Sequence, residues 1–184
     1  MGVIRIAIIV GSLRAASINR KLAKAVHRLL PEGFEAEFVG IGDLPLYSQE
    51  FDGDFPAAAR SFKQQVAQAD ALLFVTPEYN RSIPGVLKNA IDVGSRPSGD
   101  NTFAGKLAAV IGTSPGAAGS ALAQQHLRNV LVGVGVETMP QPEVFVQFRE
   151  GMIDDEGVID NERTQKFLQG FVDRYTQWLR NHLG

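Results

Sequence analysis

Apolar residues along this chain come in two textures. Short runs are almost unbroken: residues 3–10 (VIRIAIIV) are apolar but for Arg5, residues 71–75 (ALLFV) are wholly so, and 106–111 (KLAAVI) are so after Lys106. Continuous apolar character over such lengths predicts strands covered on both faces. Residues 34–39 instead alternate Phe34, Ala36 and Phe38 with Glu35 and Glu37, the period of a strand nearer a sheet edge. A fifth strand is expected within 132–146, interrupted around Pro140 and Pro142.

Between these runs the apolar residues recur at helical spacing. Ile18, Leu22, Ala25, Val26 and Leu29 predict a helix over 17–30, ended by Pro31-Glu32-Gly33. Further helices are expected over 56–70, with Pro56 at its first position, over 84–93 and 121–131, and over 160–183. In the last, Phe167, Leu168, Phe171, Val172, Tyr175, Trp178 and Leu179 share one face. Irregular segments fall at 40–55 and 94–105, and a glycine-rich turn, GTSPGAAG, at 112–119. Strands alternating with helices predict an α/β fold: a flavodoxin-like three-layer sandwich, with a five-stranded parallel sheet in the order 2-1-3-4-5 and helices on both faces. The chain carries no repeat or linker, so residues 1–184 read as one domain.

In such a sheet the loops that leave the strands lie together outside the carboxyl edge, where ligands bind. The first, GSLRAASIN (11–19), offers a turn at Gly11, neutral donors on Ser12, Ser17 and Asn19, and the charge of Arg14. With the positive end of the following helix this is an anion site suited to a phosphate; simple helix capping by Ser17 and a surface Arg14 is the plainer reading. The loop has neither the GK[ST] of a P-loop nor G-x-G-x-x-G. Gly133 and Gly135 form a G-x-G that nothing completes, so they read as packing. In the second loop, TPEYNRSIPG (76–85), Pro77 restricts Thr76 to extended geometry and Asn80 tolerates a left-handed turn. Its backbone suits the polar edge of a planar ring, with Tyr79 as an aromatic wall and Glu78 bonding the ring or a cation across a subunit contact. Ser114 reaches the ring from the third loop. Phosphate and ring together point to a mononucleotide such as FMN.

Composition narrows the chemistry. The 184 residues are 45% hydrophobic with a formal net charge of -2, and the pI is about 5.9; Lys and Arg are dispersed, which argues against a nucleic-acid binder. With no cysteine, disulfides, thiolate nucleophiles and Cys-ligated metals are excluded. His27, His126 and His182 fall within helical patterns, without a spacing partner for a metal, and no G-x-S-x-G elbow exists. No catalytic side chain is therefore expected, and the cofactor carries the reaction. The N-terminal apolar run is short, broken by Arg5 and lacks a preceding basic region, so it reads as a strand rather than a leader or span. A cytoplasmic protein without a membrane partner is expected.

The segments GSLRAASIN, TPEYNRSIPGVLKNAIDVGSRP, AGKLAAVIGTSPGAAG and QQHLR resemble the NAD(P)H-dependent FMN reductase family within the flavodoxin-like superfamily, and its bacterial chromate and quinone reductases in particular. The resemblance implies non-covalent FMN, with Ser12, Arg14, Ser17 and Asn19 on the phosphate. Pro77, Glu78, Tyr79 and Asn80, with Arg81 through its backbone, would line the isoalloxazine ring, and Ser114 would approach it. It implies NAD(P)H as co-substrate, ping-pong transfer to quinones, azo compounds, chromate or other oxidised metal ions, and a homodimer or homotetramer with residues 84–93 near the subunit boundary. Arg81 stands where close relatives often have tyrosine, and Val93 where they often have tryptophan. The alternative is an electron carrier like flavodoxin, which does not oxidise NAD(P)H; such carriers are usually more acidic than this chain.

Overall fold

The computed structural model describes residues 2–184. Strands β1 (Ile4–Val10), β2 (Phe34–Phe38), β3 (Ala71–Val75), β4 (Leu107–Ser114), β5 (Glu137–Thr138) and β6 (Val144–Gln147) alternate with helices α1 (Ile18–Arg28), α2 (Ala57–Gln68), α3 (Gly85–Gly94), α4 (Ala121–Gly133) and α5 (Glu162–Leu183). All pairings are parallel, in the order β2-β1-β3-β4-β5, with β6 also on β4. The expected fold class and strand order are observed.

The continuous apolar runs are explained by two cores. Successive side chains of a strand point to opposite faces. Ile6, Ile8 and Val10 of β1 pack with Leu22 and Val26 of α1 and Phe171 and Tyr175 of α5. Ala7 and Ile9 face the other way, toward Phe62 of α2, Leu87 and Ile91 of α3 and Leu127 of α4. Each central strand is therefore apolar wherever both its faces are covered; Arg5 sits at the exposed start of β1. Tyr175 is fully buried and donates its hydroxyl to the Leu72 carbonyl at 2.8 Å; burial pushes its pKa up.

The fifth strand departs from expectation by being split. Residues 139–143 separate β5 from β6, and both pieces lie against β4. Pro140 and Pro142 have no N–H to give a ladder, so pairing stops there and resumes at Val144. Because β6 continues along β4, residues 112–114 belong to the strand rather than to the turn. Four helix starts also shift: Ser17 and Pro84 are the N-caps of α1 and α3 rather than their first residues. Pro56 precedes α2, and α5 begins at Glu162, where Asn161 accepts from the Thr164 N–H at 2.9 Å. On α5, Phe167 faces outward, 48% exposed, while Leu168, Phe171, Val172, Tyr175 and Leu179 are buried.

Candidate functional site

The register sets three loops side by side. Val10 lies opposite Val75, Val75 opposite Ile111, and Ile111 opposite Val144. The next N–H groups continue the ladder, Gly11 to the Val75 carbonyl at 2.9 Å and Thr76 to the Ile111 carbonyl at 3.0 Å. The loops beginning at Gly11 and Thr76 thus leave the sheet at one level, while β4 rises three residues beyond them. Gly112 permits this crossing: a Cβ there would overlap the Thr76 carbonyl oxygen and Ser120 Oγ.

The first loop ends at α1, whose N-cap is Ser17. Its Oγ accepts from the Arg20 N–H at 3.2 Å, leaving the hydroxyl proton free to donate. The N–H groups of Ile18 and Asn19, in the first helical turn, have no intrahelical acceptor. Ser12, Ser17 and Asn19 are buried and Arg14 is exposed at the rim. Residues 11–19 hold no carboxylate. Two hydroxyls, open helix N–H groups and one guanidinium are the donor set a phosphate dianion needs, so the residues present fit the phosphate of FMN. The Asn19 amide is largely engaged: Nδ2 donates to the Thr113 carbonyl and Oδ1 accepts from the Thr113 N–H, both at 3.0 Å. One amide proton and its backbone N–H remain.

The next turn of α1 is neutralised from outside. Lys21 pairs with Asp155 at 2.8 Å and Lys24 with Glu156 at 3.4 Å. The Lys21 ammonium, through its hydrogen bond and its charge, holds the Asp155 carboxyl below its ordinary range.

The second loop is a miniature hairpin. Tyr79 and Ser82 exchange backbone bonds of 2.9 and 3.0 Å, and the two residues between them, Asn80 (φ 51°) and Arg81 (φ 64°), both have positive φ. That is the signature of a type I′ turn. Tyr79 is 54% exposed at the lip. The Glu78 carboxylate turns away toward α4, accepting from the N–H groups of Leu122 at 3.0 Å and Ala123 at 3.2 Å. Ser120, at the helix start, has left-handed backbone and makes no side-chain cap bond, so Glu78 supplies the cap from another loop. Ser82 Oγ lies 2.7 Å from His126 Nδ1 on the same helix, which makes His126 a packing partner of the loop. Ser114, the last residue of β4, donates its Oγ hydroxyl to the Gly116 carbonyl in the third loop at 3.2 Å. Among the described residues, no three His, Asp or Glu are grouped to hold a metal ion, and no helix is long and apolar enough to cross a membrane.

All ten residues singled out from the sequence therefore lie at the carboxyl edge, on the first two loops, in the first turn of α1 or, for Ser114, at the last residue of β4. Sequence reasoning missed Thr113 and the start of α4 as supports. No sequence signal marked either: Ser120 stands where an ordinary N-cap would, and only its left-handed backbone in the fold leaves α4 to be capped from elsewhere.

The sequence profile of NADPH-dependent FMN reductases matches residues 4–151. The chain belongs to that family. A 2-hydroxy-1,4-benzoquinone reductase from a Burkholderia species is 54% identical over 178 residues, 97% of each chain. A quinone reductase from Pseudomonas putida is 44% identical over 176 residues, 95% of this chain and 94% of the other. Among solved structures, FerB, a flavoenzyme NAD(P)H:(acceptor) oxidoreductase from Paracoccus denitrificans, superposes with a TM-score of 0.93 at 46% identity, covering 98% of this chain and 99% of that one. The expected family, the enzyme class of NAD(P)H-dependent flavin reductase, and FMN with NAD(P)H as cofactor and co-substrate are thereby borne out, and the electron-carrier alternative falls away.

Proposed function

We propose that this protein is an FMN-dependent NAD(P)H:quinone oxidoreductase, formed by a single FMN-binding domain. The observation that carries the reading is the level register of β1, β3 and β4, which sets a carboxylate-free phosphate loop beside an aromatic-lipped hairpin. Quinones are the first acceptors to expect, because relatives at 54% and 44% identity are named for quinone reduction. Azo compounds, chromate and other oxidised metal ions are further candidates.

FMN, when bound, supplies two-electron chemistry, taking hydride from the nicotinamide and passing the electrons on to an acceptor. The chain's own residues bind, orient and exclude water. Ser12, Arg14, Ser17 and Asn19, with the first N–H groups of α1, hold the phosphate. The backbone of Pro77, Glu78, Tyr79, Asn80 and Arg81 meets the polar edge of the ring, where the N–H groups of Glu78, Asn80 and Arg81 stabilise negative charge. Tyr79 walls the lip and Ser114 closes the far side. Glu78 keeps the hairpin seated through its bonds to α4. One open face serves nicotinamide and acceptor in turn, so turnover is ping-pong and requires no acid or base side chain. A homodimer or homotetramer in the cytoplasm, with α3 near the subunit boundary, completes the reading.

The test is an anaerobic spectrum of the FMN-loaded protein before and after NADPH or NADH. Rapid bleaching of the flavin bands, reversed by a stoichiometric quinone, is the expected result. Bands that persist with both nucleotides yet bleach with dithionite would overturn the reading.

A further inference from the structure

Arg81 stands where the backbone suits it least. It is the second central residue of the Tyr79–Ser82 turn, with φ at 64°. Glycine fills such a position without steric cost and asparagine at little; arginine does not, and a strained residue at a site is a pointer to function. Its side chain is exposed. Among the described residues it appears in none of the ion pairs, whereas Lys88 and Asp92 on the adjoining α3 pair with each other at 2.7 Å. Within residues 11–19, 76–84 and 112–120 the charged residues are Arg14, Glu78 and Arg81. The one carboxylate among them is bound to the N–H groups that open α4. Arg14 is taken by the proposed phosphate, so among these charges Arg81 alone is left without a partner, on a chain whose formal net charge is -2.

We propose that Arg81 selects the acceptor, and that the acceptors it selects are quinones carrying an ionised ring hydroxyl. The inference rests on the quinone-reductase reading above. A hydroxyl on the quinone ring is a vinylogous carboxylic acid, conjugated through the ring double bond to the carbonyl on the far side of that bond. It is ionised at neutral pH, with its charge shared between those two oxygens. The ionised oxygen and the oxygen of the adjacent carbonyl lie side by side in the ring plane, an acceptor pair that a guanidinium fork can bridge, and a cation without a protein partner raises the local concentration of such anions. Overall, the hydroxyquinone anion, one hydride from NAD(P)H and two protons from water give the neutral trihydroxybenzene and NAD(P)+. The ring oxygens of the product are phenols, which titrate near pH ~10. Arg81 therefore attracts the substrate and has no charge to hold on the product, which favours release.

The experiment compares 2-hydroxy-1,4-benzoquinone with its neutral methyl ether, 2-methoxy-1,4-benzoquinone, on the FMN-loaded protein. Affinity is measured calorimetrically with no nicotinamide present, and kcat/KM with NADPH. The absence of cysteine keeps thiol addition to the quinones out of both assays. In Arg81→Gln we expect affinity and kcat/KM for the hydroxyquinone to fall about tenfold, the magnitude of one charge-assisted contact. The methyl ether should change less than about twofold on the same scale, and Arg81→Lys should recover part of the loss. Arg81→Gly, which suits the backbone, should behave as Arg81→Gln. Unchanged hydroxyquinone affinity, or equal losses for both quinones, would overturn the proposal while leaving the quinone-reductase reading intact. A wild-type protein that consumes NAD(P)H yet neither binds nor reduces either quinone would sink both.

Discussion

Asn19 and Thr113 hold each other by two reciprocal hydrogen bonds of 3.0 Å, across 94 positions of sequence. The reason lies in the sheet. The Ile111 carbonyl is taken by the Thr76 N–H, but β3 has ended at Val75, and two residues further along β4 no strand lies on that side. The Asn19 amide stands in for the missing strand and ties the start of α1 to the strand that carries the third loop. Both residues are buried.

Removing that amide leaves a buried N–H and a buried carbonyl unpaired. Each such group costs about 1–3 kcal/mol, so Asn19→Ala should destabilise the fold by about 2–6 kcal/mol in urea unfolding and weaken FMN binding. A midpoint unmoved from wild type would show that water or a relaxed backbone serves Thr113 equally well.

Glu78 acts on α4 as a cap supplied from a different loop. Glu78→Ala should cost about 1 kcal/mol, as lost N-caps do, and should speed amide hydrogen exchange at Leu122 and Ala123. Glu78→Gln retains an acceptor oxygen and loses only the charge–dipole part, about 0.3–1 kcal/mol. Exchange at Leu122 unaltered in both variants would deny the cap any energetic role.

Arg14 is exposed and its partner is the proposed phosphate. Arg14→Ala should weaken FMN binding by about 1–3 kcal/mol, the range for charge-assisted bonds, with little change in unfolding. Flavin fluorescence titration decides it; equal affinities would remove Arg14 from the site.

Two glycines make a contrast. At Gly112 a Cβ overlaps the Thr76 carbonyl and Ser120 Oγ, whereas at Gly133 nothing lies within 4 Å. Gly112→Ala should destabilise by about 1–3 kcal/mol, as overpacking does, and disturb flavin binding by displacing the second loop. Gly133→Ala, at the end of α4, should be neutral or stabilising by up to about 1 kcal/mol. Equal thermal midpoints for the two variants would contradict the crowding at Gly112.

Asp155 gives an acid-limb prediction. Its folded pKa lies below the ordinary 3.8 because of Lys21. The tether is therefore fully present above that value and is lost as pH falls through the lower folded value. An NMR titration of the Asp155 carboxyl carbon should show a midpoint below 3.8, and Lys21→Ala should bring it back toward that value. A midpoint indifferent to Lys21 would break the assignment.

Much of the site was legible before the fold was known. Ser17 and the helical spacing of Ile18, Leu22 and Val26 marked a helix start after a buried strand, and Asn80 marked a left-handed turn. These are local signals, set by the conformational preferences of a few neighbouring residues. The split of the last strand was half legible: Pro140 and Pro142 announced an interruption, but that β6 would resume on β4, lengthening it through Ser114, depends on pairing between segments.

The sequence by itself determined the alternation of strands and helices, the apolar faces that bury the sheet on both sides, and the chemistry available in each loop. Those follow from residue type and spacing, which act over one or two turns of chain. Only the tertiary structure decided that Asn19 bonds Thr113, that the Glu78 carboxylate is committed to α4, and that Arg81 is left as an uncompensated charge at the lip. Each of those depends on which backbone groups the parallel register leaves without a partner, and that is a property of strands brought together from distant parts of the chain.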